Sequence, residues 1–412
     1  MKYEYRDSGI DWIGEVPRHW KVKKLKRLLS EKLKYGATES GDLDNLDDPR
    51  YIRITDFDDD GFLREDTFKS LPTEIAKDYL LSEGDVLFAR SGATVGKTFI
   101  FKNYTGIACF AGYLIKATTV KYRLLPEFLF YYTKSSGYEE WKNGIFTQAT
   151  IQNIGADKYQ YLNVPVPPLT EQIAIANYLD KSCADIARGV EIKKKQIENL
   201  QQQLKSIIHH TVTKGLNPKA EMKESSIDWI GKVPKHWKRS RIKDIVHLQS
   251  GDNIVSEQIN DFDEFPVYGG NGLRGYFSDY THEGEFVLIG RQGALCGNIN
   301  YASGKFWATE HAVVATPIKK VSTIWLGEIL RTMNLNQYSN SAAQPGLSVE
   351  KIKNLYFMVP PFEEQKEIGK FIEEYSSTKV SVQSKIEKQI EVLLSYKKSL
   401  IHEVVTGKKQ VV

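Results

Sequence analysis

The chain has 412 residues, of which 41% are hydrophobic and 26% charged, and it carries a net charge of +4. That length suffices for two substantial cores, and the composition excludes a disordered, collagen-like or disulfide-scaffold chain. The mild basicity fits a nucleic-acid binder and an ordinary soluble protein equally well. Cys109, Cys183 and Cys296 are scattered and form no CxxC pair, so neither a disulfide framework nor a zinc site is expected. The start, MKYEYRDSGIDW, lacks an apolar signal region, and no stretch approaches a membrane span. A cytoplasmic protein without membrane contact is expected.

The first predicted feature is the stretch SGIDWIGEVPRHWKVKKLK, residues 8–26. Asp42, Asp44, Asp47 and Asp48 then mark a solvated acidic loop. From Tyr51 to Ala117 short apolar runs alternate with turn residues, and YIRITDF, DVLFAR, KTFIF and GYLIKA predict strands. LLPEFLFYYTKS (124–135) predicts a helix entered through Pro126. Pro167-Pro168 ends the sheet, because proline cannot supply a strand's N–H. Thr170 is then a candidate N-cap, with Glu171 in the positive first turn of a long helix. Along it Ile186, Val190, Ile197, Leu200, Leu204 and Ile207 fall at alternating spacings of four and three, interrupted by Lys193. That is a coiled-coil seam.

Residues 225–243 then read SSIDWIGKVPKHWKRSRIK, and the whole plan recurs. EFPVYGG, GEFVLIG, KFWATE and HAVVATP predict strands, and TIWLGEILRTM predicts a helix. VPPFEEQ (359–365) echoes VPPLTEQ (166–172). Ile386, Ile390, Leu393, Leu400 and Val404 repeat the seam. Mid-copy, LFARSGATVGK from Leu87 matches LIGRQGALCGN from Leu288, so Arg90 aligns with Arg291 and Gly96 with Gly297. An internal repeat of this length, present twice, argues for tandem halves rather than a solenoid. The ends of the halves match while the middles diverge. One frame therefore carries two different variable surfaces. Each helix, expected at roughly 35 residues and about 50 Å, has an apolar stripe too narrow for burial all round. The two are expected to pair as an antiparallel strut.

A globule, then VPP-x-x-EQ, then a seam helix, all duplicated, resembles the DNA-specificity subunit of type I restriction-modification enzymes. The paired IDWIG-x-VP-x-HW, the paired VPP-x-x-EQ and the loops ARSGATVGK and GRQGALCGN carry the resemblance over nearly the whole chain. It implies an α/β (α+β) architecture. Two similar mixed α/β target recognition domains would be separated by two long helices forming an antiparallel coiled coil, in a pseudo-twofold internal repeat. The expected boundaries are 1–166 and 217–359 for the recognition domains, and 167–216 and 360–412 for the spacer helices. The implied partners are double-stranded DNA, two modification (methyltransferase) subunits and, through the complex, the restriction (motor-nuclease) subunits. S-adenosylmethionine, ATP and magnesium would be used by those partners and not held by this chain, which would be non-catalytic. Each domain would read one half of a bipartite, asymmetric site, and the helices would act as spacer and docking scaffold.

The motifs that could carry chemistry read as structure. Gly92-Ala-Thr-Val-Gly96-Lys97-Thr98 has one residue too few between its glycines for a phosphate-binding loop, and Asn298 replaces the lysine in the second copy. Asp56-x-Asp58-x-Asp60-Gly61 opens like a calcium loop, but Thr67 stands where a bidentate Glu is required. The Val of each VPP cannot hold an amino group as a methyltransferase loop must. His19 and His236 belong to the repeated motif and are assigned to packing, and His209, His210 and His402 to helix ends.

Direct reading of bases favours Arg on guanine, Asn or Gln on adenine, and Ser or Thr on either, while Lys suits phosphate. The candidate contacts in the first globule are Arg90, Ser91, Lys97, Gln148, Gln152 and Asn153. In the second they are Asn271, Arg274, Arg291, Gln292, Asn298 and Gln344. Each could equally be an ordinary solvated side chain, and the matched Arg90 and Arg291 could serve the frame. Two rival functions stay open: a stand-alone nuclease or nucleotide-dependent enzyme using the 91–98 loop, and a protein–protein adaptor whose helices tether two copies of one partner.

Overall fold

A computed structural model describes residues 3–58, 60–146, 153–293, 295–339 and 346–411. It divides into two compact units, Met1–Lys193 with Lys388–Val412, and Lys194–Glu387.

The first unit opens with the hairpin β1 (Tyr5–Asp7) and β2 (Glu15–Pro17), Tyr5 facing Pro17. The IDWIG turn closes it. Gly14 N–H donates to Ile10 O at 2.9 Å with φ at +67°, and Gly231 repeats that angle in the second unit. A side chain is strained there, which is why both copies keep glycine. β3 (Lys21–Lys24) follows. After it come β4 (Lys34–Tyr35), β5 (Arg50–Ile52), α1 (Thr73–Ala76), β6 (Val86–Ala89), β7 (Thr98–Ile100), β8 (Ala108–Phe110) and β9 (Leu114–Ala117). The sheet order is β4-β9-β6-β7, and β5 pairs in parallel with β8. α2 (Pro126–Tyr132), α3 (Ser136–Phe146) and α4 (Ala156–Tyr159) cover it, and β10 (Asn163–Val166) returns to pair with β3.

α5 (Leu169–Lys214) then continues into the second unit, which repeats the plan. Its hairpin is β11 (Met222–Glu224) and β12 (Lys232–Pro234), followed by β13 (Lys238–Arg241). The body holds β14 (Val246–Ser250), β15 (Phe265–Gly269), β16 (Gly272–Phe277), β17 (His282–Gly290), β18 (Ile299–Ala308) and β19 (Ala312–Pro317). Next come α6 (Thr323–Thr332) and α7 (Val349–Ile352), then β20 (Tyr356–Val359), which pairs with β13. α8 (Phe362–Val405) ends the chain's regular structure. Here the order is β14-β19-β17-β18-β15-β16. The four-strand frame is thus common to both units. It extends to six because β18 runs unbroken for ten residues. In the first unit the matching chain is split into β7 and β8 by a loop holding Asn103 (φ +63°) and Gly106 (φ +147°).

Several expectations are corrected. YIRITDF is strand only to Ile52, and Ile54–Asp56 is a 3-10 turn in which Asp56, fully buried, receives Arg53 Nη2 at 2.9 Å. β8, β14, β16 and α3 lie outside the predicted elements. The helices have 46 and 44 residues, not about 35, and α5 starts at Leu169, ahead of Thr170. Pro165 lies inside β10, tolerated because the ribbon has two strands only and proline's bare nitrogen can face outward.

The seam residues pair α5 with α8 in antiparallel sense within each unit. In the first, Cys183 and Ile186 pack with Leu400 and Ile401, and Lys193 Nζ donates to Gln389 Oε1 at 2.6 Å. In the second, Gln201 Nε2 donates to Gln383 Oε1 at 3.4 Å and Lys379 Nζ to Gln203 Oε1 at 3.3 Å. Val190 and Leu400 are buried, and Ile197, Leu200, Leu204, Ile207, Ile386, Ile390 and Leu393 half-buried, amid exposed neighbours.

One repeated joint ties each frame together. Trp20 and Trp237 are fully buried, and their Nε1 atoms donate to Glu171 and Glu364 at 2.9 and 3.1 Å. His19 and His236 Nε2 meet the same carboxylates at 2.7 Å. Gln172 and Gln365 donate to Pro167 O and Pro360 O at 2.9 Å and accept from Leu125 N and Ser322 N. Each long helix ends on a left-handed glycine, Gly215 (φ +74°) or Gly407 (φ +75°). Gly215 presses on Trp237, in the second unit, and Gly407 on Pro17 and Trp20, in the first. The end of α8 and Gly407 therefore complete the first unit.

The turn over residues 56–61 that opens like a calcium loop is also structural. Asp58 Oδ1 accepts from Gly61 N and Phe62 N, and Asp60 pairs with Lys397 of α8. Beside it the half-buried Lys134 donates to Thr98 O at 2.8 Å. Burial, with Lys397 and Lys97 nearby, pulls its ammonium down to about 8 despite Asp60. A lysine whose folded value is lowered binds fewer protons folded than unfolded. The contribution of Lys134 to stability must then rise with pH from about 8 toward the ordinary lysine range. Lys134→Met should gain most over the wild type at neutral pH, and that gain should shrink by about 1 kcal/mol per unit between pH 8.5 and 10. Denaturant midpoints of both proteins across that range check this; parallel profiles would refute it.

Candidate nucleic-acid interface

The loop after β6 and its counterpart after β17 are built alike. Both run strand to strand, whereas a phosphate-binding loop enters a helix. Gly92 and Gly96 have φ of +78° and +81°, and Gly293 and Gly297 +85° and +86°. From below, Tyr138 Oη donates to Gly96 O at 2.8 Å and Tyr159 Oη to Ala89 O at 3.1 Å, and burial raises both hydroxyls' pKa.

Arg90 and Arg291 occupy the same junction. Arg90 N donates to Tyr113 O at 3.0 Å, and Ile154 N donates to Arg90 O at 2.9 Å. Arg291 N donates to His311 O at 2.9 Å, and Leu347 N donates to Arg291 O at 2.9 Å. Ser91 bridges Asn153, and Gln292 bridges Gly346. Three chain segments, far apart in sequence, thus meet around each arginine.

The side chains then diverge. The Arg90 guanidinium lies 4.9 Å from the Tyr35 ring centre, with its Nε buried and unbonded. Arg291 Nη1 reaches Ser250 Oγ at 3.3 Å beside an open cleft of about 400 Å³ lined by Gln292, Leu347, Ser348 and Val349. The 269–272 turn packs directly on this junction: a side chain at Gly290 would collide with Gly270 O. It brings Asn271 to Asn298, whose Nδ2 is 3.5 Å from Asn271 Oδ1.

The structure therefore gathers Arg90, Ser91 and Asn153 in the first unit and Asn271, Arg291, Gln292 and Asn298 in the second. Lys97 is exposed at the far end of its loop, and the exposed Arg274 folds back over Gly269. Gln148, Gln152 and Gln344 lie outside the described residues. Sequence reasoning missed Tyr35 and Tyr113, the latter 67% exposed at the β8–β9 turn. An isolated exposed tyrosine leaves no periodic signal. No group of metal-binding side chains occurs among the described residues, and no described helix is long and apolar enough to cross a membrane.

Comparison with known proteins agrees with this architecture. The fold resembles a chain solved in a study of complex assembly and conformational transition of the type I R-M system. The two are 13% identical, with a TM-score of 0.75 over 95% of this chain and 98% of that one. An HsdS subunit from Thermoanaerobacter tengcongensis gives 0.58 at 15% identity over 96% and 98%. In sequence, the type I restriction enzyme EcoprrI specificity subunit of Escherichia coli is 32% identical over 274 residues, 62% of each chain, so the match spans under two thirds of that relative. The putative MjaX specificity subunit of Methanocaldococcus jannaschii is 24% identical over 97% of this chain and 96% of its own. A family model, the type I restriction modification DNA specificity domain, matches residues 17–202 and again 234–392. The chain belongs to that family.

Proposed function

We propose that this chain is the non-catalytic DNA-recognition and scaffold subunit of a type I restriction-modification complex. Each unit reads one half of a bipartite, asymmetric duplex sequence. The contacts come from Arg90, Ser91, Lys97 and Asn153 in the first unit and from Asn271, Arg274, Arg291, Gln292 and Asn298 in the second. Gln148, Gln152 and Gln344 belong to the same proposal. Two modification subunits dock on the duplicated frame and its helices, and the restriction subunits join through them. The methyl donor, ATP and magnesium act in those partners.

One observation carries this reading. Both units hold an arginine in the same three-segment backbone junction, yet surround it with different polar side chains. An identical frame with divergent readers is what two unlike half-sites require. Exposed apolar side chains on the long helices, among them Ile192, Val380 and Val392, support docking there.

The helices as spacer give a direct test. Four residues inserted after Lys193 in α5, with four after Lys388 in α8, keep the seam paired while adding ~6 Å of rise. The preferred gap between half-sites should lengthen by about one to two base pairs, at ~3.4 Å each. Affinity across a series of gap lengths reads this, and an unmoved optimum contradicts the spacer role. A complex that assembles but binds no duplex would favour an adaptor.

A further inference from the structure

β3 and β13 are matching strands, and each carries a run of cations, Lys21 aligning with Lys238 and Lys26 with Lys243 while Arg239 stands where the first copy has Val22. The first presents Lys21, Lys23 and Lys24, continued by Lys26 and Arg27. The second presents Lys238 and Arg239, continued by Lys243. Among the described residues none of these makes an ion pair within 4 Å, whereas the nearby Lys34 and Lys235 do. Instead, exposed tyrosines lie under them. Lys26 Nζ is 4.4 Å from the Tyr161 ring centre, and the Arg239 guanidinium is 4.1 Å from that of Tyr356. The cations stand on a rigid base, because Leu25, Leu28 and Ile242 beside them are fully buried.

Each cationic ribbon is joined to the base-reading junction by one short helix. In the first unit α4 begins with Ala156 N donating to the hydroxyl of Tyr35, the ring that backs Arg90. At its other end Lys26 N donates to Gln160 O at 3.1 Å. In the second unit α7 follows Leu347, bonded to Arg291 O, and is capped by Lys353, whose carbonyl receives Lys243 N at 3.0 Å. A single turn of helix spans ~6 Å, about two base-pair steps.

We propose that the β3–β10 and β13–β20 ribbons are phosphate-gripping rails that hold the DNA backbone beside each half-site. The assignment rests on the DNA-recognition reading above and adds a separate, sequence-independent site to it. Unpaired lysines suit phosphate oxygens, which demand charge but no planar geometry. Such contacts release counterions, so each one contributes to the salt dependence of binding and none to the choice of bases.

The test uses the full chain, alone and in its complex with the modification subunits, and a random-sequence duplex as probe. The triple variant Lys21→Gln, Lys23→Gln, Lys26→Gln is compared with Lys69→Gln, Lys77→Gln, Lys121→Gln, which removes the same charge elsewhere on the unit. The rail variant should flatten the plot of log affinity against log salt by about 2 to 3 in slope, at ~0.9 per contact, and weaken binding at least about 10-fold at 0.1 M salt. The control should keep the wild-type slope, and Lys→Arg changes at the rail should restore it, which separates lost charge from a misfolded ribbon. If wild type binds and both triples share its slope, the rail is refuted while DNA recognition stands. If the rail variant loses the modification subunit instead, with an unchanged slope, the ribbon serves a protein contact and the proposal fails. If the wild-type chain and complex both ignore the duplex at low salt, the DNA-recognition reading itself falls.

Discussion

A chain ending at Ser399 should lose the fold of its first unit while the second keeps its own. Leu400, Ile401, Val404 and Val405 are each at most 4% exposed in the first unit's core, beside Trp20, Leu179 and Ile175. At about 1.5–3 kcal/mol per buried side chain, their removal costs about 6–12 kcal/mol, the whole stability of an ordinary domain. Hydrogen exchange reads the units separately: protection should vanish around Trp20 and persist around Trp237. Equal protection in both would contradict the closure of the first unit by α8. Rescue has a defined form. Tyr5 Oη donates to Gly407 O at 2.8 Å, so residues 388–412 moved ahead of residue 3 on a short Gly/Ser linker should restore the fold.

Arg291→Ala should relax recognition at one base pair of its half-site by about 10- to 100-fold, the ~1–3 kcal/mol of a good arginine–base contact. Stability should barely change, because the guanidinium's hold on the described fold is a long 3.3 Å contact to Ser250 Oγ. Affinities of the complex over a panel of single-base variants separate the outcomes, and an unchanged profile removes Arg291 from the interface. Arg90→Ala should act likewise on the other half-site. There Tyr35→Ala should reproduce part of the loss, since the ring holds the guanidinium in place.

The frame was readable because its motifs use rare residues that must meet. His19 and Trp20 are neighbours that share the carboxylate of Glu171, 152 and 151 residues away, and His236 and Trp237 share that of Glu364. Their repetition marks them in the sequence without any knowledge of contacts. The seam was readable from its spacing, yet the helix lengths were not. Polar residues such as Gln201 and Gln383 occupy seam-flanking positions and pair across it, so helix persists where apolar periodicity fades.

Other features are silent in one dimension. α3 contains Gly137, whose lack of a side chain admits Trp12 O where a Cβ would otherwise stand. Locally that glycine reads as a break. β8 follows a loop that interrupts what is one strand in the other copy, and a single sequence gives no reason for the split. For the interface, residue type alone nominated Arg90, Ser91 and Asn153. Their meeting depends on a bridge between segments about sixty residues apart, which no local pattern encodes.

The account stands on two readers acting independently in one chain. The most direct measurement is a genome-wide map of methylated bases in cells carrying this chain and its modification subunit, repeated after residues 30–160 are exchanged for those of a relative with another specificity. One half of the modified sequence should change while the other half stays the same. A motif that changes in both halves, or in neither, would contradict it.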